Sequence, residues 1–175
     1  MAALREIERF GSQDLRLAKS LHNLANAYYK QGNCAEEEPL YERALAIAEQ
    51  AIGIEHPDIA TFLLNLAWVY DAQHRSAEAE SLFKRALAIR ERVLGPDHLD
   101  VARNLVGLAS SYKDQFKFAE AEPLYRRALA ILEKTLGPED PTVSAVVRML
   151  EMFCLKVRMI QEKSDALGPQ HPGQF

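Results

Sequence analysis

The sequence predicts an all-α chain, an α-solenoid of antiparallel helix pairs, on three observations. First, a pattern returns every 42 residues. Residues 17–58 read LAKSLHNLANAYYKQGNCAEEEPLYERALAIAEQAIGIEHPD, residues 59–100 read IATFLLNLAWVYDAQHRSAEAESLFKRALAIRERVLGPDHLD, and residues 101–142 read VARNLVGLASSYKDQFKFAEAEPLYRRALAILEKTLGPEDPT. The three copies align without a gap, and a fixed period of this size marks stacked copies of one supersecondary unit. Second, each copy holds two stretches with apolar residues at helical spacing. Third, a glycine closes each copy's second stretch at the same place, with proline close by.

The first helix of each copy, helix A, carries Leu24/Leu66/Leu108, Ala25/Ala67/Ala109 and Tyr28/Tyr70/Tyr112. Positions i, i+1 and i+4 share one helical face. The second, helix B, carries Leu40/Leu82/Leu124, Tyr41/Phe83/Tyr125, Ala44/Ala86/Ala128, Leu45/Leu87/Leu129 and Ile47/Ile89/Ile131, again an amphipathic stripe. The alanine series let the two helices approach, and the larger residues fill the space beside them. Gly32-Asn33 in the first copy and Gln73-His74-Arg75 in the second separate A from B. Gly53, Gly95 and Gly137 end helix B, where a left-handed residue is wanted. Pro57 and Pro141 suit the first turn of the next helix A, because proline there loses no helical bond. Asp58 and Asp100 bring negative charge to that N-terminus. Pro39 and Pro123 fall in the opening turns of helix B, where a small distortion is expected.

Residues 1–162 read as one array. Gly11 precedes Ala18 as Gly53 precedes Ala60, so residues 1–16 are expected to be the end of a preceding helix B and a junction. Residues 143–162 read as a degenerate fourth helix A, in which Glu151 and Cys154 replace the alanine and tyrosine of the pattern. Residues 163–175 read as a flexible tail.

Composition narrows the function classes. The chain has 175 residues, is 48% hydrophobic and carries a net charge of −4. That is the mix of a folded protein without a global basic field to draw nucleic acid or anionic membrane. No apolar run approaches the roughly 18–20 residues of a membrane span, and the N-terminus lacks a signal-peptide core. Cys34 and Cys154 fall in different repeats and outside any zinc-binding spacing, so both are expected to be reduced packing residues of a cytoplasmic protein. No nucleotide, metalloprotease or nucleophile-elbow motif is present. His56 and His98 recur in the junction, which makes them structural. The expectation is no enzyme, no cofactor, no metal, and neither nucleic acid nor membrane as a partner.

The strings NLAxxY, AEAEPLYxRALAI and LGPxHPD resemble the tetratricopeptide repeat (TPR), in the 42-residue form of kinesin light chain and its bacterial relatives. The resemblance covers residues 17–142 well and the ends in part. It implies a right-handed superhelix whose A helices line a concave groove that holds peptides. The groove positions carried over include Lys19, His22, Asn23, Asn26 and Lys30 from the first copy, and Asn65 and Trp68 from the second. Arg103 and Lys113 come from the third copy and Arg148 from the fourth. Across the whole groove set, six cations (Lys156 is the sixth) stand against Asp71 and Asp114, a net charge of +4 within a chain of −4. A basic groove favours an acidic ligand; the alternative is that these long side chains solvate a helix face.

Asn23 and Asn65 are equivalent, and in related repeats an asparagine here bonds a peptide backbone, since an amide both donates and accepts. The alternative is an asparagine that bonds the neighbouring helix. Asn26, Asn65 and Arg103 match three of five places in the dicarboxylate clamp of chaperone-binding members, with His22 and Gly107 where that clamp has cations. Trp68 is either a ligand anchor or a packing residue against the adjacent repeat. The resemblance therefore implies a non-catalytic protein–protein interaction scaffold that binds a peptide or protein segment, acidic in character, in its concave groove. Two alternatives stand beside it. One is self-assembly as a homodimer through Val147, Leu150, Phe153 and Val157; the other is a positioning role within a larger multidomain protein.

Overall fold

A computed structural model describes residues 2–31 and 34–167. Among them are seven helices and no strand: α1 (Ala2–Lys30), α2 (Cys34–Ile52), α3 (Pro57–Ala72), α4 (Ser76–Leu94), α5 (Leu99–Asp114), α6 (Phe118–Leu136) and α7 (Pro141–Leu167). Helices α1 and α2, α3 and α4, and α5 and α6 form the tight pairs. Each pair packs on the next, and α3 also touches α5 directly, so the A helices run side by side. This is the expected all-α solenoid.

The alanine series explain the close approach. Ala25, Ala67 and Ala109 on the A helices and Ala44, Ala86 and Ala128 on the B helices are all fully buried. Tyr41, Phe83 and Tyr125 are buried beside them. Leu66 and Leu108 are 3% exposed, whereas the equivalent Leu24 is 46% exposed, since α1 has no helix pair packed on that side.

The junction motif works through its histidines. The His56 and His98 rings accept from the backbone N–H groups of Asp58 and Asp100, both at 3.1 Å, and Asp140 does the same for Thr142 at 2.7 Å. Each caps the helix A that follows. Gly53, Gly95 and Gly137 have φ of 81°, 84° and 86°. With ψ near 160°, Gly95 and Gly137 lie outside the left-handed helical region expected for them, in the extended mirror region that only glycine occupies readily.

Polar links repeat with the same period. Glu38 accepts from Gln73 at 2.9 Å and Arg75 at 2.6 Å; one repeat later Glu80 accepts from Gln115 at 2.9 Å and Lys117 at 3.0 Å. Burial alone would raise the Glu80 carboxyl, but hydrogen bonds from Lys84, Lys117 and Gln115 together outweigh it and hold it down at about 2.

Three expectations about the ends change. Helix α1 runs unbroken through Gly11. The stretch Gly11-Ser12-Gln13-Asp14-Leu15 has neither the histidine cap nor the proline of the true junctions, so nothing stops the helix there. Helix α7 runs to Leu167, past the expected start of a tail at 163, while 168–175 lie outside the described residues. Cys154 is exposed, not packed. It stands beside Glu151, Leu155 and Arg158 on an exposed face of α7. The Gly32-Asn33 break and the Cys34 side chain lie outside the described residues.

Candidate peptide-binding groove

Three cavities follow one another along the A helices. The first, about 250 Å3, is lined by Asn26 and Tyr29 of α1, Tyr41 of α2, and Asn65, Trp68 and Val69 of α3. The second, about 220 Å3, is lined by Leu64 and Trp68 of α3, Arg103 and Val106 of α5, Leu132 of α6, and Thr142 and Val146 of α7. The third, about 310 Å3, lies between Lys113, Asp114, Tyr125, Met149, Met152, Phe153 and Lys156. Trp68 belongs to both the first and the second. It is 36% exposed and stands edge-on to Phe83, ring centroids 5.2 Å apart. One side of Trp68 therefore packs on the repeat, and the rest faces the groove.

The first cavity is polar at its floor. The Tyr41 hydroxyl donates to Asn26 Oδ1 at 2.6 Å. Asn65 Nδ2 meets His22 Nε2 at 2.9 Å. His22 is not a groove-surface residue: it is 8% exposed, held edge-to-face by Tyr41 and Phe62, and burial lowers its pKa. The neutral ring bonds the Asn65 amide through Nε2, its tautomer deciding which side donates, and Nδ1 is buried without a hydrogen-bond partner among the described residues. The Tyr41 hydroxyl is pushed up to about 12, by burial first and then by Glu37 and Tyr29 nearby. Asn65 thus bonds the neighbouring helix with one end of its amide and leaves the other end to the cavity.

The second cavity is apolar through Leu64, Trp68, Val106, Leu132 and Val146, and Leu64 and Trp68 pack on Phe83. Phe83 replaces the tyrosine of the other copies, and its ring lies against the backbone of α5 at Gly107. A Cβ built on Gly107 would overlap that ring. Glycine stands at this position, where the second copy has Asn65, because no side chain fits. Nearby, the buried Arg90 donates to Asn104 Oδ1 at 3.0 Å and to the Asp100 carbonyl at 3.1 Å, while Asn104 Nδ2 donates to the Phe83 carbonyl at 2.7 Å. Sequence reading missed Tyr41 as a lining residue of the first cavity and Arg90 with Asn104 as a buried polar pair of the α4–α5 seam. The alternation Tyr41/Phe83 beside Asn65/Gly107 was the signal for the first.

The basic character is weaker than the count of charges implies. Lys19 pairs with Asp58 at 3.0 Å, Arg103 with Asp100 at 3.2 Å and Lys113 with Asp114 at 3.3 Å. Two of those carboxylates come from the junction, outside the groove set. Lys156 lies over the Phe116 ring at 5.7 Å. Lys30 and Arg148 are exposed and without an ion pair among the described residues. Asn23 is exposed and lines none of the three cavities. Asn26 and Asn65 share the first cavity while Arg103 lines the second, so the structure does not bring the three clamp residues to one point.

The four residues proposed for self-association point inward. Phe153 is 3% exposed against Tyr125 and Phe118, Leu150 and Val157 pack beside it, and Val147 packs on the cluster of Val101, Leu132 and Val146. Pairing through them would first require α7 to leave α6. Among the described residues, no helix is long and apolar enough to cross a membrane, and no group of three His, Cys, Asp or Glu is placed to hold a metal.

Comparison with known proteins agrees with this architecture. The family model described as tetratricopeptide repeat matches residues 2–50, 16–92 and 72–134. Among solved structures, the chain is similar to the nearly identical TPR-like repeats of a Podosopora anserina protein assigned as a kinesin light chain. Identity is 28% and the TM-score 0.75, covering 91% of this chain and 80% of that one. It is also similar to BtubC (BKLC) from P. vanneervenii at 23% identity and a TM-score of 0.66, covering 91% and 67%. The first TPR of Spaghetti (RPAP3), solved bound to the HSP90 peptide SRMEEVD, matches at 19% identity and a TM-score of 0.59, covering 82% and 97%. No curated protein matches the chain.

Proposed function

The chain belongs to the tetratricopeptide-repeat family, with kinesin-light-chain-like repeats, and on that premise we propose that it is a non-catalytic scaffold holding an extended segment of another protein along its A helices. The observation that carries this reading is Trp68, a partly exposed aromatic that separates a cavity floored by amides from an apolar one. A half-exposed indole over two adjoining cavities is the anchor geometry of interaction surfaces. One domain of this fold, that of RPAP3, is solved with a peptide bound.

The segment we propose presents an apolar side chain to the cavity of Leu64, Trp68, Val106 and Val146, and acidic residues toward Lys30 and Arg148. Charge steers the approach, and the central cavities supply the contact. The proposed setting is the cytoplasm, with neither nucleic acid nor membrane as a partner.

The test is selection from a random peptide library against the full chain, followed by titration of enriched peptides. Asn65→Ala is expected to weaken binding about tenfold, the order of a lost hydrogen bond with its partner left unmet. Arg103→Glu is expected to weaken acidic peptides further, with helicity unchanged in both variants. Peptides that bind both variants as tightly as the parent chain would place the site elsewhere.

A further inference from the structure

Resting on that groove reading, we infer that the third cavity is a second anchor site on the same ligand path, the counterpart of the first cavity two repeats on, and that it takes a flat or unbranched apolar side chain of the bound segment. The two cavities correspond residue by residue across two periods of the sequence. Tyr41 of α2 becomes Tyr125 of α6. Asn65, Trp68 and Val69 of α3 become Met149, Met152 and Phe153 of α7. Their volumes are similar, about 250 and about 310 Å3.

The chemistry differs where a ligand would touch. The first cavity offers an amide and an indole. The third offers two thioethers in their places, beside the buried rings of Tyr125 and Phe153. Methionine is unbranched and polarisable, so it moulds to an aromatic ring or a straight chain. Met152 is 71% exposed and Met149 37%. A side chain laid between them removes from water apolar surface that the described residues leave open. The cations at the rim are already engaged, Lys113 with Asp114 at 3.3 Å and Lys156 over the Phe116 ring at 5.7 Å.

The place between the two counterparts is filled. There Phe83 stands for Tyr41, and its ring lies against Gly107, which stands for Asn65. Ser111, which stands for Val69, donates from its hydroxyl to Asp71 at 2.9 Å and ties α5 to α3. The apolar cavity beside Trp68 opens about one turn nearer the helix N-termini, at Leu64, Arg103 and Val106. Packed helices lie about 8–10 Å apart, so counterparts two repeats apart are separated by about 16–20 Å. An extended chain covers that distance in about five or six residues. The bound segment is therefore expected to carry an apolar residue about five or six positions from the one at the first cavity.

The test labels the full chain with 13C at the methionine methyl groups and 15N throughout, and titrates it with N-acetyl-phenylalanine amide. Met159 is the internal control, on the same helix, exposed and outside the cavity. Met149 and Met152 are expected to shift while Met159 stays. A second arm takes peptides enriched on the parent chain and titrates them against Met149→Gln/Met152→Gln, which changes exposed positions only. Affinity is expected to fall about tenfold, the order of one buried apolar side chain. Truncating the peptide's apolar residue to alanine is expected to cost about tenfold on the parent chain and nothing on the variant. Equal costs on both, or a Met159 shift as large as those of the cavity pair, would overturn the site. If peptides move the Trp68 indole and leave Met149 and Met152 unmoved, the groove stands and the second anchor is wrong. If they move none of the three, both readings fail.

Discussion

The seam between α2 and α3 and the seam between α4 and α5 occupy equivalent places in the repeat, yet they are built from different chemistry. At the first, Ala48 and Phe62 sit in one apolar cluster; at the second, the equivalent pair is Arg90 and Asn104, buried and hydrogen-bonded. At the third, Leu132 and Val146 restore the apolar form. The helix-B ring changes with them. Tyr41 ends in a hydroxyl, and the facing A helix carries Asn65. Phe83 has none, and the facing helix carries Gly107, against which the ring lies. The residue on helix B and the residue on the facing helix A vary together between the first two places, Tyr41 under amides and Phe83 against Gly107, whereas at the third Tyr125 lines a cavity with Met149 and Met152. Trp68 marks the boundary between the first two.

That comparison can be broken most forcefully at Gly107. Gly107→Ala places a methyl where the Phe83 ring already lies, and overpacking of this kind costs about 1–3 kcal/mol. Chemical denaturation is expected to show a loss at the upper end of that range, with part of it recovered in Gly107→Ala/Phe83→Leu. Full stability in the single variant would mean that the ring moves aside freely and does not shape the groove.

The polar pair comes next. Arg90→Leu alone leaves Asn104 Oδ1 buried without a donor, at a cost of about 1–3 kcal/mol. Arg90→Leu/Asn104→Val imports the chemistry of the third seam and is expected to be neutral or stabilising, as for other buried charges replaced by packed apolar groups. A double-mutant cycle measures this directly. Independent, additive losses would show that the two residues do not act as a unit.

A smaller effect is expected at the caps. His98→Ala removes the acceptor for the Asp100 N–H and is expected to lower stability by about 1 kcal/mol, whereas His98→Asp, which copies the cap that Asp140 forms, should restore it. Melting temperatures of the three proteins decide this.

The gentlest probe is pH, acting on the first seam alone. His22 faces Tyr41 from α2 and Phe62 and Asn65 from α3, with no carboxylate among its hydrogen-bond partners. Burial lowers its pKa from the ordinary 6.5. The unfolded chain then takes up the proton more readily than the folded one. The stability tied to the neutral ring is complete above about 6.5 and is lost as pH falls through the lower folded value. Unfolding measured between pH 7 and pH 5 is expected to show a downward slope that His22→Leu flattens. An unchanged slope would mean that the ring is not confined as described.

The architecture was legible because it is written three times. The alanine series, the tyrosines and the junction glycines fix two helices per repeat, and the recurrence of His56 and His98 identified them as structural before their capping role was visible. The groove was legible only as a set of positions. Whether Lys19 and Arg103 are free cations depends on Asp58 and Asp100, which the junction brings alongside from outside the groove pattern. His22 reads as a groove residue from its place on helix A, but Tyr41 and Phe62 close over it from two other helices. Gly107 reads as a missing cation or amide, and its cause is the bulk of Phe83 from the preceding repeat. Phe153 reads as outward from α7 alone, but it packs against Tyr125 and Phe118 of α6 and clusters with Ala109 of α5. In each case the pattern within a helix was right, and the partner from another helix decided the role.

The most direct measurement is an amide and indole shift map of the 15N-labelled chain with a peptide selected from the random library. Binding along the A helices predicts that the largest shifts fall on Trp68 Nε1–H and on the side-chain amides of Asn26 and Asn65, with little change at Arg85 and Arg127 on the B helices. The largest shifts at Arg85 and Arg127, with Trp68 unmoved, would contradict it and place the interaction surface on the opposite side of the repeats.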